Sequence, residues 1–148
     1  MEPTQTLTDM LNKQISNFGV LFVKLHNYHW FVTGEGFYEL HKKFEEFYNE
    51  AAGYVDKLAE RLLAINGRPV ATMKEFLQQT SITESSGNEN AQQMVQNVAN
   101  DFNTIISELK QGIEVAEREK DHPTVDMLIH ICKNLEKHVW MLNAYLRK

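Results

Sequence analysis

Five side chains between residues 29 and 60 have the chemistry of metal ligands. They are two imidazoles and three carboxylates, from His29, His41, Glu45, Asp56 and Glu60. This donor set suits iron, zinc or manganese. At about 100° per residue, the last four fall on one stripe of a single helix. Carboxylates four residues apart are more often a solvated helix face, so spacing alone leaves both interpretations open.

The distance along this helix decides whether one chain can complete a site. Glu45 and Asp56 are 11 residues apart, or about 16 Å at the helical rise per residue, whereas a metal–ligand bond is about 2 Å long. A second copy, packed antiparallel about a two-fold axis, would bring its own Asp56 and Glu60 opposite His41 and Glu45. The crossing falls beside the small residues 51–53, which allow close approach. The spacing predicts two half-sites that join between copies.

Four long segments repeat apolar residues every three to four positions, which predicts helices. Their approximate bounds are residues 4–32, 37–65, 90–119 and 121–146. The three prolines fall only where these segments start or have ended. A short turn joins the first two segments and a longer crossover joins the second to the third. The sequence therefore predicts an all-α four-helix bundle with one crossover.

Local signals place a short helix in the crossover and the two histidines at the first turn. Thr72 and Glu75 resemble a capping box that opens a helix through Leu77. His29 lies about four residues before the first long helix ends, and His41 about four after the second begins. An antiparallel hairpin would hold these imidazoles at equal depth, where they can share a metal.

Other titratable groups are less well placed for chemistry. Glu119 and His122 form a Glu-x-x-His string, but it crosses the boundary between the last two predicted helices, so we interpret it as chance. His26 could face the same way as His29, yet a packing role is favoured. Two histidines of the last helix have no clustered carboxylates: His130 and His138.

Composition limits the class of protein. A chain of 148 residues with 43% hydrophobic and 24% charged residues is expected to form one domain, 1–148. It has no leader pattern and no apolar run long enough to span a bilayer, so we expect a cytoplasmic protein. A net charge of −5 disfavours general nucleic-acid binding. The single Cys132 excludes an intrachain disulfide, and packing is favoured for it. No phosphate-binding, nucleophile-elbow or Cys-x-x-Cys motif is present.

The ordered ligand pattern resembles the ferroxidase signature of the Dps family, the mini-ferritins named as DNA-binding proteins from starved cells. It runs His29, eleven residues, His41, three residues, Glu45, ten residues, Asp56, three residues, Glu60. The resemblance covers essentially the whole chain, including helix order and the short crossover helix. It implies a ferritin-like bundle, a hollow shell of twelve subunits and an iron site at each two-fold interface.

The resemblance also implies what each ligand does. One chain would supply His29, His41 and Glu45, and its mate Asp56 and Glu60, which is the division that the distance argument requires. The site would oxidise Fe²⁺, preferably with hydrogen peroxide, and Fe³⁺ would be stored as mineral in the cavity. The family often has Asp where Glu45 stands, which changes the reach of this carboxylate and the affinity for a second metal.

Four more residues gain roles only through the resemblance. Trp30 matches the tryptophan beside the family's iron site, where it intercepts radicals. Asp121 and Asp126 would line a negative three-fold pore that draws in Fe²⁺. Close relatives have a third acidic residue where this chain has His130, so the attraction of the pore would be weaker and pH-sensitive.

Two functions other than iron oxidation are alternatives for this sequence. A nucleoid-compacting DNA-binding protein of this family commonly uses a mobile tail rich in Lys and Arg. Here the first basic residue is Lys13, and the carboxyl end offers only Arg147 and Lys148. Direct DNA binding is therefore not favoured. The remaining alternative is a metal-free helical interaction protein, which would bind no iron.

Overall fold

The computed structural model describes residues 6–147, and every regular element among them is a helix. In chain order the helices are α1 (Leu7–Phe31), α2 (Phe37–Ala64), α3 (Met73–Gln79), α4 (Ala91–Arg118) and α5 (His122–Tyr145). The long helices pair as two hairpins, α1 with α2 and α4 with α5, while α3 packs against α1 from the crossover. The predicted four-helix bundle with a short crossover helix is confirmed. None of these helices is both long and apolar enough to cross a membrane.

Side-chain caps mark where three of the four long helices begin, and α2 instead follows Gly36 without a side-chain cap. Thr6 with Asp9 and Asn90 with Gln93 form capping boxes at the starts of α1 and α4. Asp121 caps α5 by accepting a hydrogen bond from a backbone N–H in its first turn. The observed helix ends lie within three residues of the predicted ones, and residues 4 and 5 of the first predicted segment lie outside the described residues.

The α3 cap is only half of the predicted box. The Thr72 hydroxyl accepts from the backbone N–H of Glu75 at 3.2 Å, as expected. The Glu75 carboxylate, however, accepts from the backbone N–H of Ala71 and from the Thr72 hydroxyl, both at 3.0 Å. These hydrogen bonds hold the pKa of Glu75 below its usual value.

The apolar stripes predicted from periodicity line one shared interior, with two exceptions. Phe22 and Ile129 are 37% and 40% exposed. Phe22 packs instead on the flank of the α1–α2 hairpin, with its ring edge-on to His26 at 4.6 Å and to Tyr48 at 6.0 Å. Cys132 is buried in the core, which confirms its predicted packing role, and burial raises the pKa of its thiol.

Polar side chains fasten the crossover to the bundle. The fully buried Asn17 of α1 accepts hydrogen bonds from the Thr80 hydroxyl at 2.9 Å and the backbone N–H of Ser81 at 2.8 Å. Its amide donates to the Glu108 carboxylate of α4 at 2.8 Å. The loop after α3 is thus attached to both long helices beneath it.

Candidate metal centre

The α1–α2 hairpin brings His29 and His41 face to face. Their rings stack with centroids 3.7 Å apart and planes 14° from parallel. Nδ1 of His29 lies 2.6 Å from the backbone oxygen of His41, and Nδ1 of His41 lies 2.7 Å from the backbone oxygen of His29. The His29 carbonyl belongs to the last turn of α1, where carbonyls lack a helical partner. The hairpin and the two imidazoles therefore support each other.

These reciprocal hydrogen bonds indicate which nitrogen donates in both rings. A carbonyl oxygen can only accept, so Nδ1 must be the protonated donor on His29 and on His41. In the neutral imidazole the lone pair then belongs to Nε2. Such a backbone contact at one ring nitrogen is the usual way in which proteins orient a metal-binding histidine. Both Nε2 atoms are thereby prepared as ligands.

Glu45, the third ligand predicted for this half-site, lies on α2. Its Oε1 lies 3.9 Å from Nε2 of His29, and its side chain is 51% exposed while that of His29 is only 9% exposed. The carboxylate can therefore turn toward a metal arriving from solvent. Within residues 6–147, no three His, Cys, Asp or Glu side chains converge closely enough to hold a metal ion.

The stacking of the rings also limits how they could bind. Each Nε2 lone pair lies in its own ring plane, and these planes are stacked and nearly parallel. One ion about 2 Å from both nitrogens could not lie in both planes. In this arrangement, each imidazole is suited to one of two adjacent ions rather than to a single shared ion.

Asp56 and Glu60 lie on the same helix, beyond the half-site. Both are exposed, and neither side chain forms a hydrogen bond or ion pair with another residue within 6–147. The uninterrupted course of α2 through Phe37–Ala64 holds them about 16 Å or more from Glu45, by the helical rise. The two carboxylates are thus free to contribute elsewhere.

Trp30 lies on the exposed side of the hairpin end. Its side chain is 65% exposed, and its ring contacts His26, with centroids 5.3 Å apart. His26 stacks on Tyr48 at 3.6 Å, and its Nδ1 donates to the Phe22 carbonyl at 2.6 Å. The packing role predicted for His26 is confirmed, whereas the radical-intercepting role of Trp30 stays a prediction.

The proposed pore residues differ in their surroundings. Asp126 and His130 are exposed on α5. Asp121 instead accepts from the Arg61 guanidinium at 2.9 Å and from the Thr124 hydroxyl at 2.6 Å. Burial would raise the pKa of Asp121, but these hydrogen bonds and the Arg61 charge lower it. Its charge is compensated within the chain, so it would add less to a pore potential than the sequence suggests. The pore itself stays a prediction.

His138 has a carboxylate partner that sequence analysis missed. Its Nε2 lies 3.0 and 3.1 Å from the two carboxylate oxygens of Glu50, on the other hairpin. Tyr54 donates to the same carboxylate, and Asn134 donates to the Tyr54 hydroxyl at 3.0 Å. The pair is 88 residues apart in sequence, so no local signal could have found it.

Glu119 and His122 do fall on either side of the α4–α5 boundary, as predicted.

The fold and the half-site together define a class of protein. An all-α bundle of four long helices with one crossover connection is the architecture of a ferritin-like protein. In agreement, a model of the ferritin-like domain matches residues 8–148.

Comparison with known proteins narrows this class. The chain is 56% identical over 143 residues to general stress protein 20U of Bacillus subtilis, covering 97% of this chain and 99% of that protein. A crystal structure of a Dps protein from Bacillus brevis has a TM-score of 0.94 and 51% identity, covering 95% and 94% of the two chains. A zinc-soaked Dps from Listeria innocua has a TM-score of 0.93 and 39% identity, covering 96% and 97%. The chain belongs to the Dps family.

Proposed function

We propose that this protein is a ferroxidase that oxidises Fe²⁺ and stores Fe³⁺ inside a homo-oligomeric shell. The observation that carries the proposal is the reciprocal hydrogen bonding of His29 and His41, which leaves both Nε2 atoms available. Membership of the ferritin-like Dps family supports the same chemistry. Iron is the substrate and cargo of the reaction.

A second subunit supplies the missing ligands in this proposal. Glu45 with the two histidines forms one half, and Asp56 with Glu60 of the two-fold mate forms the other. Gly53 lies at the crossing, and a Cβ built there would meet nothing within 4 Å, so a second helix has room to approach. Twelve such subunits would enclose a cavity for the mineral.

The ligands of the joined site favour Fe³⁺ over Fe²⁺. Three carboxylates are hard anionic donors, and they stabilise the more highly charged ion more strongly. Two Fe²⁺ each give one electron to hydrogen peroxide, which takes up two protons and leaves as two water molecules. The separate lone-pair planes of His29 and His41 suit two adjacent ions. Peroxide is thereby consumed without releasing hydroxyl radical, with Trp30 nearby to intercept any stray oxidising equivalent.

A subunit-mixing experiment tests the shared site. His29→Ala and Asp56→Ala proteins should each assemble normally and oxidise Fe²⁺ with peroxide at least about tenfold more slowly than wild type. In a mixed dimer, one site loses both ligands and the other keeps both. Co-expression of the two variants should therefore restore about a quarter of the wild-type rate, because random pairing makes half of the dimers mixed.

The rate of the mixed protein distinguishes a site shared between two subunits from a site within one subunit. Native mass spectrometry would verify that both subunits share one particle. A mixture no faster than the single variants would contradict a site shared between subunits. Single variants as fast as wild type would contradict the ligand assignment itself.

A further inference from the structure

The His29 imidazole is held on a third side by an aromatic ring. Its Nδ1 and one face are fixed by His41, as described above. The ring of Tyr48, from the next turns of α2, meets His29 at 5.4 Å with an interplanar angle of 87°. Edge-to-face contact of this kind is a favourable arrangement of aromatic rings. His29 is thus held by contacts with His41 and with Tyr48, and none of these contacts uses its Nε2 atom.

Tyr48 is itself supported by residues that take no part in the half-site. His26 stacks on it at 3.6 Å with planes 16° apart. The His26 ring is anchored by its hydrogen bond to the Phe22 carbonyl, and the Phe22 ring meets Tyr48 edge-on at 6.0 Å. Tyr48 is half-buried between these groups and His29. Residues one and two helical turns before His29 thus brace the ring that touches it.

We propose that Tyr48, backed by His26, is a positioning residue that sets the direction of the His29 Nε2 lone pair. The proposal rests on the proposed function only in taking His29 as a metal ligand. A hydrogen bond at Nδ1 holds one point of the ring but permits tilting about it. The perpendicular Tyr48 ring blocks that tilt. The His29 imidazole is therefore already oriented before a metal ion binds. Loss of a residue that contacts a metal ligand, without itself binding the metal, typically weakens metal binding by about 10- to 100-fold.

The proposal assigns the positioning of His29 to the aromatic ring of Tyr48 and not to its hydroxyl. Tyr48→Leu removes the perpendicular ring, whereas Tyr48→Phe keeps it. His26→Leu removes the brace behind Tyr48 and provides a second test if Tyr48→Leu assembles poorly. Phe47→Leu is the matched control, because it removes a buried ring from the adjacent position of α2 that contacts Phe102 on the opposite side.

Cobalt(II) binding to the assembled, iron-free protein gives the measurement. Its visible absorption reports the ligand geometry, and titration gives the dissociation constant. We expect the constant to rise about tenfold or more in Tyr48→Leu, with a changed spectrum, and severalfold in His26→Leu. Tyr48→Phe and Phe47→Leu should match wild type, even though Phe47→Leu lowers thermal stability.

Each contrary result has a distinct meaning. Wild-type cobalt binding by both Tyr48→Leu and His26→Leu would overturn the positioning role. So would equal weakening in Phe47→Leu, or equal weakening in Tyr48→Phe. If His29→Ala itself binds cobalt as wild type does, the proposed ligand set fails first, and the positioning role fails with it.

Discussion

Lys24 and Asp101 form an ion pair of 2.7 Å in the interior, between α1 and α4. Lys24 is only 6% exposed, and its ammonium also donates to the Thr83 carbonyl at 2.6 Å. One side chain thus ties the crossover loop to both helices. Burial raises the pKa of Asp101, and the Lys24 charge opposes that rise in part. The carboxylate depends on its lysine partner to remain ionised.

Removing this lysine should be strongly destabilising. Lys24→Met leaves the Asp101 charge buried without its partner, which typically costs about 3–5 kcal/mol. Urea unfolding at neutral pH and fixed protein concentration measures the loss. Lys13→Met is the control, because Lys13 is more exposed and lies 4.0 Å from Glu108. It should change stability by less than about 1 kcal/mol. Equal effects of the two variants would contradict the importance of the buried pair.

Glu89 should contribute stability that depends on pH. Burial opposes its ionisation, but a hydrogen bond from the Tyr28 hydroxyl at 2.7 Å, with others from the loop at Ser85 and Ser86, lowers the pKa of Glu89 to about 2 from its usual 4.5. The folded state therefore favours the charged carboxylate. Its stabilisation is complete above about pH 4.5 and is lost as the pH falls toward 2.

Glu89→Gln should accordingly lower the midpoint of thermal unfolding at pH 7, by an amount that shrinks as the pH falls below 4.5. Circular dichroism at pH 7, 5, 4 and 3 follows this difference from wild type. Glu84→Gln, at an exposed position in the same loop, should unfold as wild type throughout. A difference that stayed constant down to pH 3 would show that another property of Glu89 is responsible.

Local signals in the sequence were enough for the helices and for the ligand stripe. The period of the apolar residues acts within one helix, so the extent of α2 and the separation of Glu45 from Asp56 along it follow directly. Contacts between helices depend on how one helix slides and rotates against another. Lys24 and Asp101 are 77 residues apart in sequence, so their pairing could not be derived before the fold was known.

The same limit applies within the candidate site. The hairpin could be predicted to bring His29 near His41, because both lie a similar distance from the turn. The exchange of hydrogen bonds and the stacked planes could not, because they depend on the rotation of each helix about its axis. Nothing in the sequence separates Tyr48 from the other aromatic residues, whereas its perpendicular contact with His29 in the structure does.

An engineered disulfide should trap the predicted two-fold interface. The two predicted ligand pairs share a midpoint between residues 50 and 51. In an antiparallel pair of α2 helices about this midpoint, Asn49 of one helix faces Ala52 of the other, and both residues are exposed. The Asn49→Cys/Ala52→Cys protein should form covalent dimers under mild oxidation, since disulfides require Cα atoms about 4.4–6.8 Å apart. Non-reducing electrophoresis detects them. Lys137→Cys, at an exposed position on α5, should give far fewer. Equal cross-linking of both proteins would argue against an antiparallel α2 pair.

The stacked imidazoles predict that His29 and His41 each bind a separate metal ion. Zinc is a suitable probe because it shares these ligands and has no redox chemistry. Calorimetric titration of the assembled, iron-free protein should give about two Zn²⁺ per site. His41→Ala should lose one ion and keep the other with reduced affinity, because the His41 ring lies in a separate plane from that of His29 but also stacks on it. His122→Ala, which changes an exposed histidine at the start of α5, should keep both. If His41→Ala lost all zinc binding, the two rings would have to share one ion, and the stacked arrangement would not be the metal-bound one.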